Sequence, residues 1–169
     1  GLDNLDSYYD ENIKLSNLSI LKKYKNFTFL KENIIDTKSI NIYKPNIVCH
    51  LASLAGVRNS IDKPIDYCRG NIEGFINILE QCKNIELENK QKIKIVFASS
   101  SSVYGNNTKI PFKETDEINK INSPYAASKK CMETLAQTYN QLYNLNIIGL
   151  RFFTVYGPWG RPDMAPYKF

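Results

Sequence analysis

The stretch Ile93-Lys94-Ile95-Val96-Phe97-Ala98-Ser99-Ser100-Ser101-Ser102-Val103-Tyr104-Gly105 decides the fold. Its first six residues form an almost unbroken apolar, β-branched run. That is the pattern of a strand buried on both faces of a parallel sheet, not the alternation of a strand with one wet face. The run then ends in consecutive serines, and the ligands of open α/β sheets sit at the carboxyl ends of the strands. Working outward, residues 46–52, with Pro45 at their start, and residues 146–152 read as further buried strands, and residues 27–30 as a short one. Helical patterns fall between them at 11–24, 37–44, 64–84 and 123–143. In the third, Ile72, Phe75, Ile76 and Leu79 recur at helical spacing. In the last, Pro124 lies near the helix start, where proline is tolerated. Strand–helix alternation predicts an α/β domain on a doubly wound, Rossmann-like parallel sheet. No linker, repeat or low-complexity stretch interrupts it. The 169 residues are therefore expected to be one domain. The absence of an initiator Met and of a terminal turn or tail makes it a domain expected to be incomplete at both ends.

The composition, 43% hydrophobic and 23% charged, is that of an ordinary soluble globular chain. No run of about 18 apolar residues is present, which argues against a membrane-spanning helix, and the first residues carry no secretory signal. Cys49, Cys68, Cys82 and Cys131 are scattered without a C-x-x-C pair, and there is a single histidine. No metal site is expected, and free thiols suit a reducing cytoplasm. The net charge of +5 comes from dispersed lysines. With no basic run interleaved with aromatics, nucleic acid is not an expected partner.

The sharpest chemical feature is Tyr125-Ala126-Ala127-Ser128-Lys129. Residues four apart share one face of a helix. An ammonium one turn away favours the phenolate form, so Tyr125 is a candidate general base for a hydroxyl proton. Alone, the pattern more often describes a surface Tyr–Lys pair. Its company changes the reading. The serines of 99–102 can hydrogen-bond a sugar and a developing oxyanion, or merely cap the next element. In Leu51-Ala52-Ser53-Leu54-Ala55-Gly56-Val57-Arg58 small residues permit close backbone approach and Arg58 can meet a phosphate, or the segment is a plain strand–helix turn. Residues 152–163, Phe-Phe-Thr-Val-Tyr-Gly-Pro-Trp-Gly-Arg-Pro-Asp, are rich in turn formers and aromatics, which suits a cofactor wall and a substrate loop. Asp3, at the end of an N-terminal strand, is placed to accept ribose hydroxyls. His50 reads as a core or turn histidine, and Trp159 as packing.

Together these residues resemble the extended short-chain dehydrogenase/reductase family of NAD-dependent epimerases and dehydratases, over nearly the whole chain. The resemblance implies a catalytic set of Tyr125, Lys129 and Ser100. It implies NAD contacts from Asp3, Asn4, Ile34, Leu51, Ala52, Ser53, Asn71, Ala98, Tyr125, Lys129, Phe152 and Val155, with Asp3 at the adenine ribose and Asn71 on the nicotinamide side. Where relatives often carry Gly-Asp-Ile, this chain has Glu32-Asn33-Ile34. The glycine-rich turn that opens the family's first strand–helix unit, and the C-terminal portion that supplies much of the UDP site, fall outside the sequence.

Within the family, residues 52–58, 99–105 and above all 151–164 look like its UDP-glucuronate 4-epimerases. That likeness implies a substrate set of Arg58, Ser100, Ser101, Ser102, Thr154 and Arg161, the last gripping a planar carboxylate. Family dehydratases carry Asp-Glu after the catalytic serine, and the decarboxylases a glutamate just before Val-Tyr-Gly; here Ser101 and Ser102 fill both places. The expectation is NAD-dependent 4-epimerisation of UDP-glucuronate through a 4-keto intermediate, by a cytoplasmic protein that is a homodimer when full length. A UDP-glucose 4-epimerase, a UDP-glucuronate decarboxylase, a non-catalytic NAD-binding module and an inactive fragment stay open beside it.

Overall fold

The computed structural model describes residues 1–164 and 167. Along the chain run β1 (Leu2–Asp3), α1 (Glu11–Leu21), β2 (Leu30–Lys31), α2 (Ser39–Tyr43), β3 (Ile47–His50), α3 (Val57–Asp62), α4 (Pro64–Tyr67), a π turn (Cys68–Glu73), α5 (Gly74–Asn89), β4 (Lys94–Ser100), a 3₁₀ turn (Ser101–Tyr104), α6 (Pro124–Tyr143) and β5 (Asn146–Phe152). They fall into two compact units: Ile35–Phe153, and Gly1–Ile34 with the segment from Thr154 onward.

In the larger unit β3, β4 and β5 form a parallel sheet in that order, with Val48 opposite Ile95, Phe97 opposite Gly149, and Ser99 opposite Arg151. Parallel neighbours need a crossover, and α5 and α6 supply the two. The core is the packing of these helices on one sheet face. Phe75, Ile78, Leu79, Cys82 and Ile85 of α5, with Met132 and Ala136 of α6, meet Val48, Ile95 and Phe97. Gly149 makes room: a Cβ there would lie 2.6 Å from the Phe97 ring. Thr37 and Gln81 tie α2 to α5, the Gln81 amide donating to the Thr37 carbonyl at 2.8 Å and accepting from Asn41 N–H at 3.1 Å.

The smaller unit pairs β1 with β2 in parallel, Leu2 opposite Leu30. The Asp10 side chain caps α1 by accepting from Asn12 N–H at 2.9 Å.

The α/β class with parallel sheets is borne out. Several details differ. The short strand is Leu30–Lys31, not 27–30, because Leu30 is where the backbone meets β1 through its bond to the Gly1 carbonyl. The first helix stops at Leu21: Lys23 and Tyr24 make tighter i→i−3 bonds to Ile20 and Leu21, which unwind the end into turns. The expected single helix over 64–84 is broken by the π turn and runs on to Asn89. Its apolar stripe splits. Phe75 and Leu79 enter the core, whereas Ile72 and Ile76 line a shallow outer groove with Cys68, Arg69 and Glu73. Burial on both sheet faces is not seen either. β3 alternates, with Val48 and His50 buried and Ile47 and Cys49 exposed, while Ile148, Leu150 and Phe152 of β5 are exposed. The reason is that α5 and α6 both cover one face.

Candidate active site

α6 positions the candidate catalytic pair. Its first turn is set by Ser123, whose side chain accepts the Ala126 N–H at 3.1 Å, and by Pro124 at the first helical position. One turn further, Lys129 is almost wholly buried, at 1% exposure. Its ammonium donates to Ser53 Oγ at 2.7 Å and to the Ala98 carbonyl at 2.8 Å. It thus joins the loop after β3 to the end of β4, and lies 5.9 Å from the centre of the Tyr125 ring. Burial pushes Lys129 down to about 8. Tyr125, Lys129, Ser53 and Ala98 are therefore brought together as expected, although two of the three ammonium donors hold the scaffold.

Tyr125 rests edge-on against Tyr67, ring centres 6.2 Å apart. The sequence reading assigned Tyr67 nothing. It is fully buried in α4, and its hydroxyl is shared among the Ala55 carbonyl (2.6 Å), the Gly56 carbonyl (3.0 Å) and the Asn59 amide (3.1 Å). Asn71, in the π turn, works on the same loop. Its side chain accepts Leu54 N–H at 2.6 Å and donates to the Leu54 carbonyl at 3.0 Å and to Ser128 Oγ at 2.9 Å. It is fully buried. The residue that the family resemblance puts on the nicotinamide side thus grips the loop after β3 and ties it to α6.

At the end of β4 successive residues point to opposite faces, and the serines divide accordingly. Ser100 Oγ caps the 3₁₀ turn by accepting Ser102 N–H at 3.1 Å and pairs with Ser102 Oγ at 2.8 Å. Ser101 lies beside them, half-buried. Ser99 turns away and donates to Glu133 Oε1 at 2.6 Å, so the expected row of four available hydroxyls is three. Glu133, one turn after Lys129, was missed; the recurrence of polar residues at 125, 129 and 133 on one helix face was its signal.

His50 is buried and stacked on Phe75, ring centres 5.2 Å apart, as a core histidine should be. Burial first, and the charge of Lys129 second, push it down to about 4, so it is neutral at pH 7. Leu51, just after β3, and Phe152, ending β5, are exposed apolar groups at the carboxyl ends of the two strands that flank β4, and Arg58 is exposed on α3. Exposed apolar side chains at these strand ends, with a buried ammonium that is bonded to the strand between them and has one donor to spare, suit a ligand with a flat ring and hydroxyl groups.

The remaining predicted residues belong to the smaller unit. Asp3 ends β1, and its carboxylate accepts Leu5 N–H at 2.6 Å; Asn4 similarly accepts Asp6 N–H at 3.1 Å, and Ile34 is half-buried. Thr154 and Val155 are exposed. Arg161 is already engaged, its Nε 2.5 Å from Asp163 Oδ1 and its Nη2 3.2 Å from Met164 Sδ. Trp159 is 61% exposed, which overturns its reading as packing. Among the described residues no group of His, Cys, Asp and Glu is arranged to hold a metal.

The family model described as GDP-mannose 4,6 dehydratase matches residues 1–168. The chain belongs to that family. It is one of the extended short-chain dehydrogenase/reductase families of epimerases and dehydratases. Among curated relatives within reach, UDP-glucuronate 4-epimerase 4 of Arabidopsis thaliana is 48% identical over all of this chain and 38% of its own length. In general the chain spans about half or less of the length of such relatives. Among solved members, a Bacillus cereus UDP-glucuronic acid 4-epimerase in complex with UDP-glucuronic acid and NAD superposes with TM-score 0.88 at 34% identity, over 99% of this chain and 52% of that one. The UDP-N-acetylglucosamine 4-epimerase of Methanobrevibacter ruminantium superposes at 0.80, also 34% identical, over 97% and 49%.

Proposed function

We propose that the protein to which this chain belongs is an NAD-dependent UDP-sugar 4-epimerase acting on UDP-glucuronate. The observation that carries the reading is the placement of Lys129, buried beside Tyr125 and bonded to the ends of both β3 and β4. A tyrosine that acts as a base is helped by such a fixed cationic neighbour, which favours its phenolate, whereas a binding module has no use for one. Tyr125 would take the proton from the sugar 4-hydroxyl. Lys129 would hold negative charge on its oxygen, and Ser100 would hydrogen-bond the oxygen as it becomes a ketone. NAD, when bound, supplies the acceptance and return of hydride at C4. Asp3, Asn4 and Ile34 would hold its adenosine side. Leu51, Ala52, Ser53, Ala98, Phe152 and Val155 would line its nicotinamide side, with Asn71 acting through Leu54.

Ser101, Ser102, Thr154, Arg58 and Arg161 would hold the sugar and its carboxylate. In Arg161 this requires exchanging Asp163 for the substrate carboxylate. That engagement favours a second reading in which the sugar is neutral. For the homodimer, the support is the outer groove of the π turn and α5, where Ile72 and Ile76 lie outside the core. No helix among the described residues is long and apolar enough to cross a membrane, in keeping with a cytoplasmic enzyme.

The test is to incubate the full-length protein with UDP-glucuronate and NAD and to separate the nucleotide sugars. UDP-galacturonate at a constant ratio, with no net NADH, is the expected result. UDP-xylose would overturn epimerisation. Turnover of neutral UDP-sugars alone would overturn the uronate and favour the second reading.

A further inference from the structure

Arg151 and Glu133 form a two-pronged ion pair outside the residues assigned above. Arg151 Nε donates to Glu133 Oε1 and Nη2 to Oε2, both at 2.9 Å, and the side chains are 18% and 16% exposed. Such a parallel fork fixes orientation as well as distance.

Its surroundings matter more than its strength. In the sheet register Arg151 stands opposite Ser99, and Ser99 Oγ donates to the same Glu133 oxygen at 2.6 Å. One carboxylate on α6 therefore holds the last rungs of β4 and β5 together. One turn earlier on the helix, Lys129 grips the Ala98 carbonyl. α6 thus holds two consecutive residues of β4, 98 and 99, immediately before Ser100. The guanidinium reaches outward as well. Nη1 donates to the Glu114 carbonyl at 3.2 Å, and its carbon lies 4.9 Å from the centre of the Tyr104 ring, which stacks on Phe112 at 4.6 Å. Tyr104 closes the 3₁₀ turn that carries Ser101 and Ser102. Gly105 follows with φ +55°, pressed so closely on the Lys120 carbonyl that no Cβ could fit.

We infer that the Glu133–Arg151 pair is a positioning device. It holds the Ser100–Ser102 segment at a set distance from Tyr125 and Lys129, and ties residues 105–122 to the same frame. Burial opposes ionisation of Glu133, but hydrogen bonds from Arg151 and Ser99 outweigh it and hold the carboxyl below its ordinary range. The pair therefore stays charged at neutral pH. The pair is bonded to protein groups and acts through Ser99, Tyr104 and Glu114. This rests on the epimerase reading for what is positioned, but not for the clamp itself.

The test uses the full-length protein as wild type, Glu133→Gln, Arg151→Lys and the double variant. Steady-state kinetics are run on whichever UDP-sugar the wild type turns over, with amide hydrogen exchange alongside. The expected result is a fall of about 10- to 100-fold in kcat per folded protein for each single variant. KM for the sugar should stay within about threefold, as for loss of an interaction that matters in the transition state. The double variant should be no worse than the poorer single, because the two residues act as one unit. Amides of residues 99–104 and 112–116 should exchange at least about tenfold faster in the variants. A kcat within about twofold of wild type, a rise in KM alone, or additive losses would overturn the inference. If the wild type turns over no UDP-sugar, the epimerase reading fails and exchange decides alone: faster exchange in both segments supports the clamp, and unchanged exchange overturns it.

Discussion

At the residue scale the site is organised by one buried ammonium. Lys129 carries a charge in a place that resists charge, and this has two consequences. First, Tyr125→Phe keeps the ring against Tyr67 and leaves the Lys129 bonds to Ser53 and Ala98 untouched. It should lower kcat by about 10²- to 10⁴-fold while leaving nucleotide binding intact; near-normal turnover in a steady-state assay would rule Tyr125 out as the base. Second, burial has lowered Lys129 to about 8 from 10.5. The unfolded chain holds this proton more tightly, so between pH 8 and 10.5 it carries more protons than the native state. Stability must then rise with pH through that window, and below pH 8 the burial penalty is present in full. Urea unfolding should show the wild type gaining on Lys129→Met by roughly 1–3 kcal/mol from pH 7.5 to 10.5; a constant difference would contradict it. Tyr125, Lys129 and Ser100 were legible as candidates because a four-residue spacing and a strand-end position are local facts. The bonds that Tyr67 and Asn71 make to the loop after β3 were not, since their partners Ala55, Gly56, Leu54 and Ser128 meet them only through folding.

At the scale of the element, α6 was placed within a residue of its bounds because Ser123 and Pro124 mark a helix start and Asn144 ends it in the left-handed region, φ 55°. Ser123→Ala removes that cap and should cost about 1 kcal/mol by chemical denaturation. An unchanged midpoint would mean that the packing of Ala126 and Met132 alone sets the helix start. β5 was also placed correctly. The π turn was not: Gly70 and Asn71 weaken the helical pattern there, but no local composition tells i→i+5 bonding from i→i+4. The extra residue in that turn is paid for by what it delivers, since it brings Asn71 round to Leu54 and Ser128. The misjudged burial of β3 and β5 has the same origin: an apolar residue reports its preference for burial, not whether a neighbour arrives to cover it.

For the whole molecule, the two-sided character of the π turn and α5 is the feature with the widest reach. Phe75, Ile78 and Leu79 are committed to the core, while Ile72 and Ile76 line the outer groove, where the proposed homodimer would seat its second subunit. In the full-length protein Ile72→Asp with Ile76→Asp should convert a dimer to a monomer by size-exclusion chromatography with light scattering, without loss of helix content. A dimer that persists would place the interface elsewhere. By itself the sequence determined the α/β class, the parallel strands and the candidates for proton transfer, because hydrophobic period, cap residues and strand-end chemistry are written within a few positions of one another. The tertiary structure alone decided which side chains serve the chemistry and which hold the frame. Ser99 and Ser100 are adjacent and identical, yet the pleat sends one to Glu133 and the other to Ser102. Such pairings depend on side chains distant in sequence being brought within hydrogen-bond reach, and no local pattern encodes that distance.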